Sequence, residues 1–415
     1  MNSPSFLGSN INLVKAHNLQ SILLILLHTE KISRVELAKQ TALSTTTITN
    51  LTAELLEAGI IVEEEASQGA GERRNVGRPR TMLRLVSDAC YAVGVHIGIG
   101  LYRVAVTNLQ AEIIHNNIAT FEIGTPANVI LNDIAALVQN TIAESKVDPE
   151  RVIGIGVGAS GLVNHVTGVN VLAPKLGWQD VPIQVLLESQ LNLPVCVDNN
   201  VRCMALGDAF FGAGRGVSSL AFVYGRIGVG AGLVVEGQLY RGSRAGAGEI
   251  GHTIMLPQGG ELCSCGNTGC LETLVSEPVL IKQAELLAQQ NPTSLLSQYL
   301  QGANGHSQME RIFMAARAGD ETARALIEDR ACYLGIALAN LVNLLNPEVI
   351  LLGGMFAQGH DLIIPVAKAK MKECAFAGLG EEVQIAATNF GWRAGVIGAS
   401  ALALTEFFYQ QNEAA

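Results

Sequence analysis

Gly248-Glu-Ile-Gly-His252 and, a short way on, Cys263-Ser-Cys265-Gly-Asn-Thr-Gly-Cys270-Leu-Glu272 carry the densest chemistry in this 415-residue chain. One imidazole and three thiolates make a four-coordinate set, the arrangement that structural zinc prefers. Gly266 and Gly269 allow the backbone to fold tightly between the thiols. His252, Cys263, Cys265 and Cys270 are therefore read as ligands of a structural Zn that staples the loop and keeps no position open for a substrate. The competing reading is three free thiols beside an unrelated histidine. Crowded cysteines in a chain read as cytosolic favour metal over disulfide. Cys90, Cys196, Cys203, Cys332 and Cys374 lie scattered in apolar surroundings and read as core packing.

Around this loop the sequence alternates strands, Gly-rich turns and helices. Tyr91–Gly100 reads as a strand with a glycine turn, Tyr102–Asn108 as its return, and Val152–Gly158 as a buried strand. Leu220–Tyr224 and Gly230–Val235 flank the turn Gly225-Arg-Ile-Gly-Val-Gly-Ala-Gly232. The helix Ala331–Leu345 precedes the strand Val349–Leu352, which ends in Gly353-Gly354. Such alternation predicts an α/β architecture of two lobes, without a short-period repeat.

The first 85 residues differ in texture. Asn18–Leu27 carries an apolar face and reads as a helix. Ser33-Arg-Val-Glu36 is a capping box opening a short helix, Val35–Gln40. After the turn Thr41-Ala-Leu43, Ser44 caps a longer helix ending near Gly59. Ala38, Leu43, Ile48, Leu51 and Leu55 supply the small and apolar groups of a three-helix core, the helix-turn-helix pattern. Ser44, Thr45, Thr46, Thr47, Thr49 and Asn50 then fall on the exposed start of the recognition helix, where short polar side chains meet base edges or phosphates. Taken alone, the Ser/Thr cluster would merely cap the helix. Ile60–Val62 and Met82–Leu85 read as two strands of a wing whose loop ends in Gly77-Arg78-Pro79-Arg80. Arg78 and Arg80 are expected to lie in a narrow minor groove.

Charge agrees with this division. The chain carries a formal −10, yet the residues up to Leu85 hold nine Lys+Arg against eight Asp+Glu, leaving 18 against 29 for the remainder. A near-neutral head with a basic stretch, fused to an acidic body, is the balance of a nucleic-acid arm on a separate domain. No apolar run approaches the ~18 residues a bilayer span requires. The short run Ile22–Leu27 is followed by His28 and Glu30, so a signal peptide and a membrane partner are not expected, and the cytoplasm is the default.

Together these motifs resemble the ROK family (repressors, open reading frames and sugar kinases), in its repressor branch of xylose-type and N-acetylglucosamine-type regulators. The resemblance runs through the helix-turn-helix, the Gly-Arg-Pro wing, Gly156-Val-Gly-Ala-Ser-Gly161, Leu176-Gly-Trp178, Leu239-Tyr-Arg-Gly242, the metal loop and Asn346-Pro-Glu-Val-Ile-Leu-Leu-Gly-Gly354. It implies a winged helix-turn-helix over 1–85 and a two-lobed, actin-like sugar-kinase (ribonuclease H-like) domain over 86–415. Lobe 1 would span about 86–200 plus the C-terminal helix, and lobe 2 about 201–390. It also implies zinc on the four ligands above, and a sugar facing Asn199, Asn200, Glu249, His252 and Glu272.

The resemblance departs where the family's kinases do their chemistry. They carry Glu-Asn-Asp-Ala-Asn, whose Asp takes the proton of the sugar hydroxyl; here the stretch reads Asp198-Asn-Asn200-Val-Arg202, with Asn200 at the base position. Loss of a general base costs about 10²–10⁴ in rate. The first phosphate loop, Asp-x-Gly-Gly-Thr in kinases, is His96-Ile-Gly98-Ile-Gly100, and the second, Gly-Thr-Gly, is Gly225-Arg-Ile. Lys175 replaces the Asn often found before Leu-Gly-Trp. The expectation is a protein that is not an enzyme: a sugar-responsive repressor acting on operator DNA as a homo-oligomer, dimer or tetramer. The alternatives are a sugar kinase with an appended DNA-binding head, and a repressor released by a protein partner.

Overall fold

The computed structural model describes residues 11–65, 81–243, 246–302 and 305–409. The head begins with the helix Ile11–His28. Ser33 caps the helix Arg34–Thr41 in a complete capping box with Glu36. Ala42 then takes a left-handed conformation at the turn. Ser44 caps the helix Thr45–Glu57, which buries Ile48, Leu51, Thr52 and Leu55 and leaves the opposite face in water. The wing strands Ile61–Glu65 and Thr81–Leu85 pair antiparallel, and a two-residue strand, Ile32–Ser33, joins the other edge of Thr81–Leu85. The sequence pattern did not announce that third strand, because two residues are too few to show alternation.

The body holds two five-stranded sheets among the described residues, and they have the same topology. In the first, Tyr91–Ile97, Leu101–Asn108 and Ile113–Thr120 form an antiparallel meander. Val152–Ala159 and Val195–Asn199 extend it as parallel strands from the first strand outward. In the second, Leu220–Gly225, Val229–Val235 and Gln238–Tyr240 form the meander, and Val349–Gly354 and Gln384–Ala387 are the parallel additions. The fold is thus a mixed α/β architecture of two like lobes, the arrangement of ribonuclease H-like sugar kinases. A third, smaller sheet, Leu162–Asn164, Val169–Ala173 and Trp178–Pro182, projects from the first lobe.

Each lobe sends a helix to the other. Asn200–Phe211 follows the last strand of the first sheet, yet packs on Val229–Val235 of the second: a Cβ at Gly232 would stand 2.5 Å from the Ala205 Cβ. Ala394–Leu404 follows the second sheet, yet lies on the first: a Cβ at Gly156 would stand 1.9 Å from the Ala399 carbonyl oxygen. The two helices cross at Gly207 and Gly398, where a Cβ on Gly398 would meet the Cys203 carbonyl oxygen at 2.4 Å. Only bare glycine backbone lets them approach so closely.

The winged helix is not a separate bead. Ile22, Leu26, Leu37, Ile48, Leu51 and Leu83 share one continuous hydrophobic core with Leu206, Phe210, Ile397, Ala401 and Tyr409 of the crossing region. Arg215 donates to the Leu27 carbonyl, and the Tyr409 hydroxyl to that of Leu109. Among the described residues no helix is long and apolar enough to cross a membrane.

Candidate ligand cleft, metal centre and nucleic-acid interface

A cavity of about 440 Å³ lies between the lobes, lined in part by His96, Ser160, Lys175, Asn199, Asn200, Arg226, Glu249, His252 and Glu272. All five residues expected to face a sugar border it, but they are not equally free. Asn199 caps the crossing helix, its Oδ1 accepting from the Val201 and Arg202 amides while its Nδ2 donates to the Gly161 carbonyl. Asn200 donates from Nδ2 to Ser160 Oγ at 3.1 Å. Glu272 is held by Lys175 at 2.5 Å and by the Val229 amide at 3.0 Å. Lys175 reaches it from the opposite lobe and also donates to the Ile227 carbonyl at 2.8 Å, clasping the two walls of the cleft.

Glu249 differs: among the described residues its carboxylate has no hydrogen-bond partner, and it faces the cavity. Its position follows from Gly248, whose φ of 93° and close approach to the Ala231 carbonyl exclude any side chain there. Although its side chain reaches solvent through the cleft mouth, desolvation by the walls raises its carboxyl pKa above the ordinary range. His252 and Arg202 oppose that rise, and Glu272 adds to it. Asp198 is fully buried and spoken for: Arg202 and Arg241 each donate to it at 2.7 Å, and the Asn199 amide accompanies them.

His252, Cys263, Cys265 and Cys270 converge, their ligand atoms all within 4.8 Å of one another. His252 Nδ1 lies 3.6 Å from Cys263 Sγ, and Cys265 Sγ lies 3.7 Å from Cys270 Sγ. Thiolates 2.3 Å from a shared ion at tetrahedral angles stand about 3.8 Å apart, so the cluster has the dimensions of a four-coordinate site and can chelate a metal ion. Because Nδ1 faces the cysteines, Nε2 is the nitrogen left to the cavity side.

On the head, Ser44, Thr45, Thr46, Thr49 and Asn50 are exposed, and Thr47 is half-buried. Ser44 and Thr47 spend their hydroxyls on each other at 2.8 Å, and Ser44 also accepts the Thr47 amide. Thr49 donates to the Thr45 carbonyl. Thr45, Thr46 and Asn50 are the side chains of this set without an internal hydrogen bond among the described residues. Arg84 pairs with Glu64 across the wing at 2.7 Å, so it does not join a free basic stretch. Arg78 and Arg80 lie outside the described residues. The pairing of Lys175 with Glu272 was the largest omission of sequence reasoning. Its one signal was the lysine standing where the family often shows an asparagine.

The model of the ROK family matches residues 92–406, and that of a winged helix-turn-helix DNA-binding domain matches 17–62. A xylose repressor of Caldicellulosiruptor bescii is 31% identical over 96% of this chain and 98% of its own length. A glucokinase of Halalkalibacterium halodurans is 34% identical over 75% of this chain and 94% of its own. The crystal structure of a ROK family transcriptional regulator, a homolog of the E. coli MLC protein, superposes with a TM-score of 0.78 at 28% identity, covering 94% of this chain and 96% of that one. The glucokinase corrects one expectation. A chain that shares nearly the whole length of a sugar kinase, and keeps a cleft with a free carboxylate at Glu249, cannot be declared a non-enzyme from Asn200, His96 and Arg226 alone.

Proposed function

This chain belongs to the ROK family, and on that premise we propose that it is a sugar-responsive DNA-binding repressor of carbohydrate-metabolism genes, acting in the cytoplasm as a homo-oligomer. One observation carries the reading: the helix Asn200–Phe211 begins at the cleft and ends in the core of the winged helix. Its N-terminal cap, Asn199, and its first residue, Asn200, border the cavity; Leu206 and Phe210 pack in the same cluster as Ile22 and Leu26. A sugar hydrogen-bonded by Asn200, Glu249 and His252 favours one lobe angle. The helix passes that preference to the head through close-packed side chains, which do not deform smoothly. The shift is limited to the sugar's differential affinity for the two lobe angles. In an oligomer the two heads would then lose the spacing of two major-groove half-sites.

In this reading Thr45, Thr46 and Asn50 read bases while Ser44, Thr47 and Thr49 order the start of the helix; Arg78 and Arg80 serve the minor groove. Zinc on His252, Cys263, Cys265 and Cys270 is structural, holding the loop so that His252 and Glu249 face the ligand. The sequence of the C. bescii xylose repressor, alike over nearly its full length, supports the reading. The test is a gel-shift titration of the full chain on the DNA upstream of its own gene, with and without a panel of monosaccharides. Release by one sugar is expected. Operator binding that no carbohydrate alters contradicts the proposal.

The glucokinase relative favours a second reading, a sugar kinase with a DNA-binding head. ATP-dependent phosphorylation of glucose by the same preparation, abolished by Glu249→Gln, would establish it.

A further inference from the structure

Among the described residues two ion pairs join the lobes, and they differ in kind. Arg241, just after the strand Gln238–Tyr240 of the second lobe, donates to Asp198 of the first. Asp198 is fully buried and shared with Arg202, so breaking this pair would strand a buried charge. Lys175 and Glu272 form the other pair, on the wall of the ligand cavity. Lys175 stands in the short turn Pro174–Leu176, anchored in the first lobe by its buried neighbours Leu176 and Trp178. Glu272 opens the helix Glu272–Val275 of the second lobe, just after the metal loop.

Exposure decides what this second pair can do. The Lys175 side chain is 30% exposed and that of Glu272 only 10%. Once released, the ammonium can swing on its flexible stem toward solvent at the cleft mouth. The carboxylate cannot follow. Without Lys175 it keeps the Val229 amide alone, a buried charge short of donors. The pair therefore opens at low cost only when other donors arrive at Glu272. Carbohydrate hydroxyls are such donors, and the pair is accessible to them. Gly228 leaves it uncovered, where a Cβ would stand 3.1 Å from Glu272 Oε2 and 3.4 Å from Lys175 Nζ. A neutral hydroxyl is a weaker donor than the ammonium, because charge-assisted hydrogen bonds are roughly twice as strong as neutral ones. Lys175 thus competes with the ligand as well as tying the two walls together.

We propose that Lys175 is a latch: its ammonium occupies Glu272 in the ligand-free chain, holds the lobes at the angle that binds operator, and is displaced when carbohydrate hydroxyls take its place. The Asp198–Arg241 pair stays closed and serves as the pivot. A repressor released by its ligand binds DNA in the ligand-free state, the state in which this latch is shut. The link to operator rests on the sugar-responsive reading above; the competition for Glu272 does not.

The experiment compares the full zinc-loaded chain with Lys175→Met, which keeps the stem and removes the charge, and with Lys175→Arg, which keeps the pair. Calorimetry measures the affinity for glucose and for xylose, and fluorescence anisotropy the affinity for operator with no sugar present. Circular dichroism and metal content establish that the variants are folded. Lys175→Met is expected to bind at least one of the two sugars about tenfold more tightly, and to bind operator at least about threefold more weakly without sugar. Lys175→Arg is expected to stay near the unsubstituted chain in both. A methionine variant that binds both sugars no more tightly than the unsubstituted chain overturns the latch and makes Lys175 a direct ligand contact or a bystander. Equal gains in the methionine and arginine variants overturn it as well, since the charge would then not be what competes. Tighter sugar binding, with operator affinity that responds to sugar and not to the substitution, overturns the latch's hold on lobe angle. Tighter sugar binding, with operator affinity indifferent to both, contradicts the repressor reading and leaves the competition for Glu272 standing.

Discussion

Cys263 and Asp208 show how far single side chains govern this molecule. Cys263→Ser removes one of four donors from a closed set, and outer ligands alone do not hold the loop. Metal content measured by mass spectrometry is expected to fall to near zero, and sugar affinity more than tenfold, while operator binding in the absence of sugar persists. Asp208 is a different case. It is fully buried in the crossing helix, accepting from Thr388 Oγ1 at 2.8 Å and the Ala213 amide at 3.3 Å, and burial raises its pKa from 3.8 to about 6. The folded state therefore binds this proton more tightly than the unfolded chain. The stability it contributes is complete below about 3.8 and is lost as pH rises through about 6, a loss on the order of 3 kcal/mol. Asp208→Asn is expected to flatten the melting temperature over that interval; an unchanged slope contradicts the assignment. The metal quartet was legible because its spacing is local and its chemistry stereotyped. The Lys175–Glu272 clasp was not, because its halves come from different lobes and nothing in either local sequence refers to the other.

At the scale of elements, two helices carry most of the account. The recognition helix Thr45–Glu57 presents Thr46 and Asn50 to solvent. Asn50→Ala is expected to weaken operator binding by about 1–3 kcal/mol, with sugar affinity unchanged by calorimetry. Equal weakening on unrelated DNA would instead make Asn50 a backbone contact. The helix crossing makes a prediction of opposite sign to propensity. Alanine in place of a helical glycine normally gains up to about 1 kcal/mol. At Gly398 the new methyl meets the Cys203 carbonyl at 2.4 Å, so Gly398→Ala is expected to destabilise by about 1–3 kcal/mol in urea melts. Helix starts were well read where a cap marks them, as at Ser33 and Ser44. The helix read from Ala331 begins instead at Glu321, capped by Asp320, and its first turns already bury Ala323, Leu326 and Ile327 at helical spacing between charged residues. The second lobe's repetition of the first was invisible: the two sheets share strand order and not residues.

At the scale of the whole molecule, the head and the helix crossing share one hydrophobic core. Composition and charge set the head apart from the body and suggested two independent units. The structure joins them, because the apolar side chains of Ile11–His28 and those at the end of Asn200–Phe211 meet in one cluster. Periodicity says which side of a helix is apolar and not what covers it. That shared core makes the central claim testable in one measurement: the dissociation constant of the full chain for its operator, by fluorescence anisotropy, without and with a carbohydrate at a concentration that calorimetry shows to be saturating. The account predicts at least a tenfold rise in the constant on saturation, about 1.4 kcal/mol or more of coupling, and by reciprocity the same factor in ligand affinity when operator is bound. Identical constants with the cleft empty and filled would contradict it.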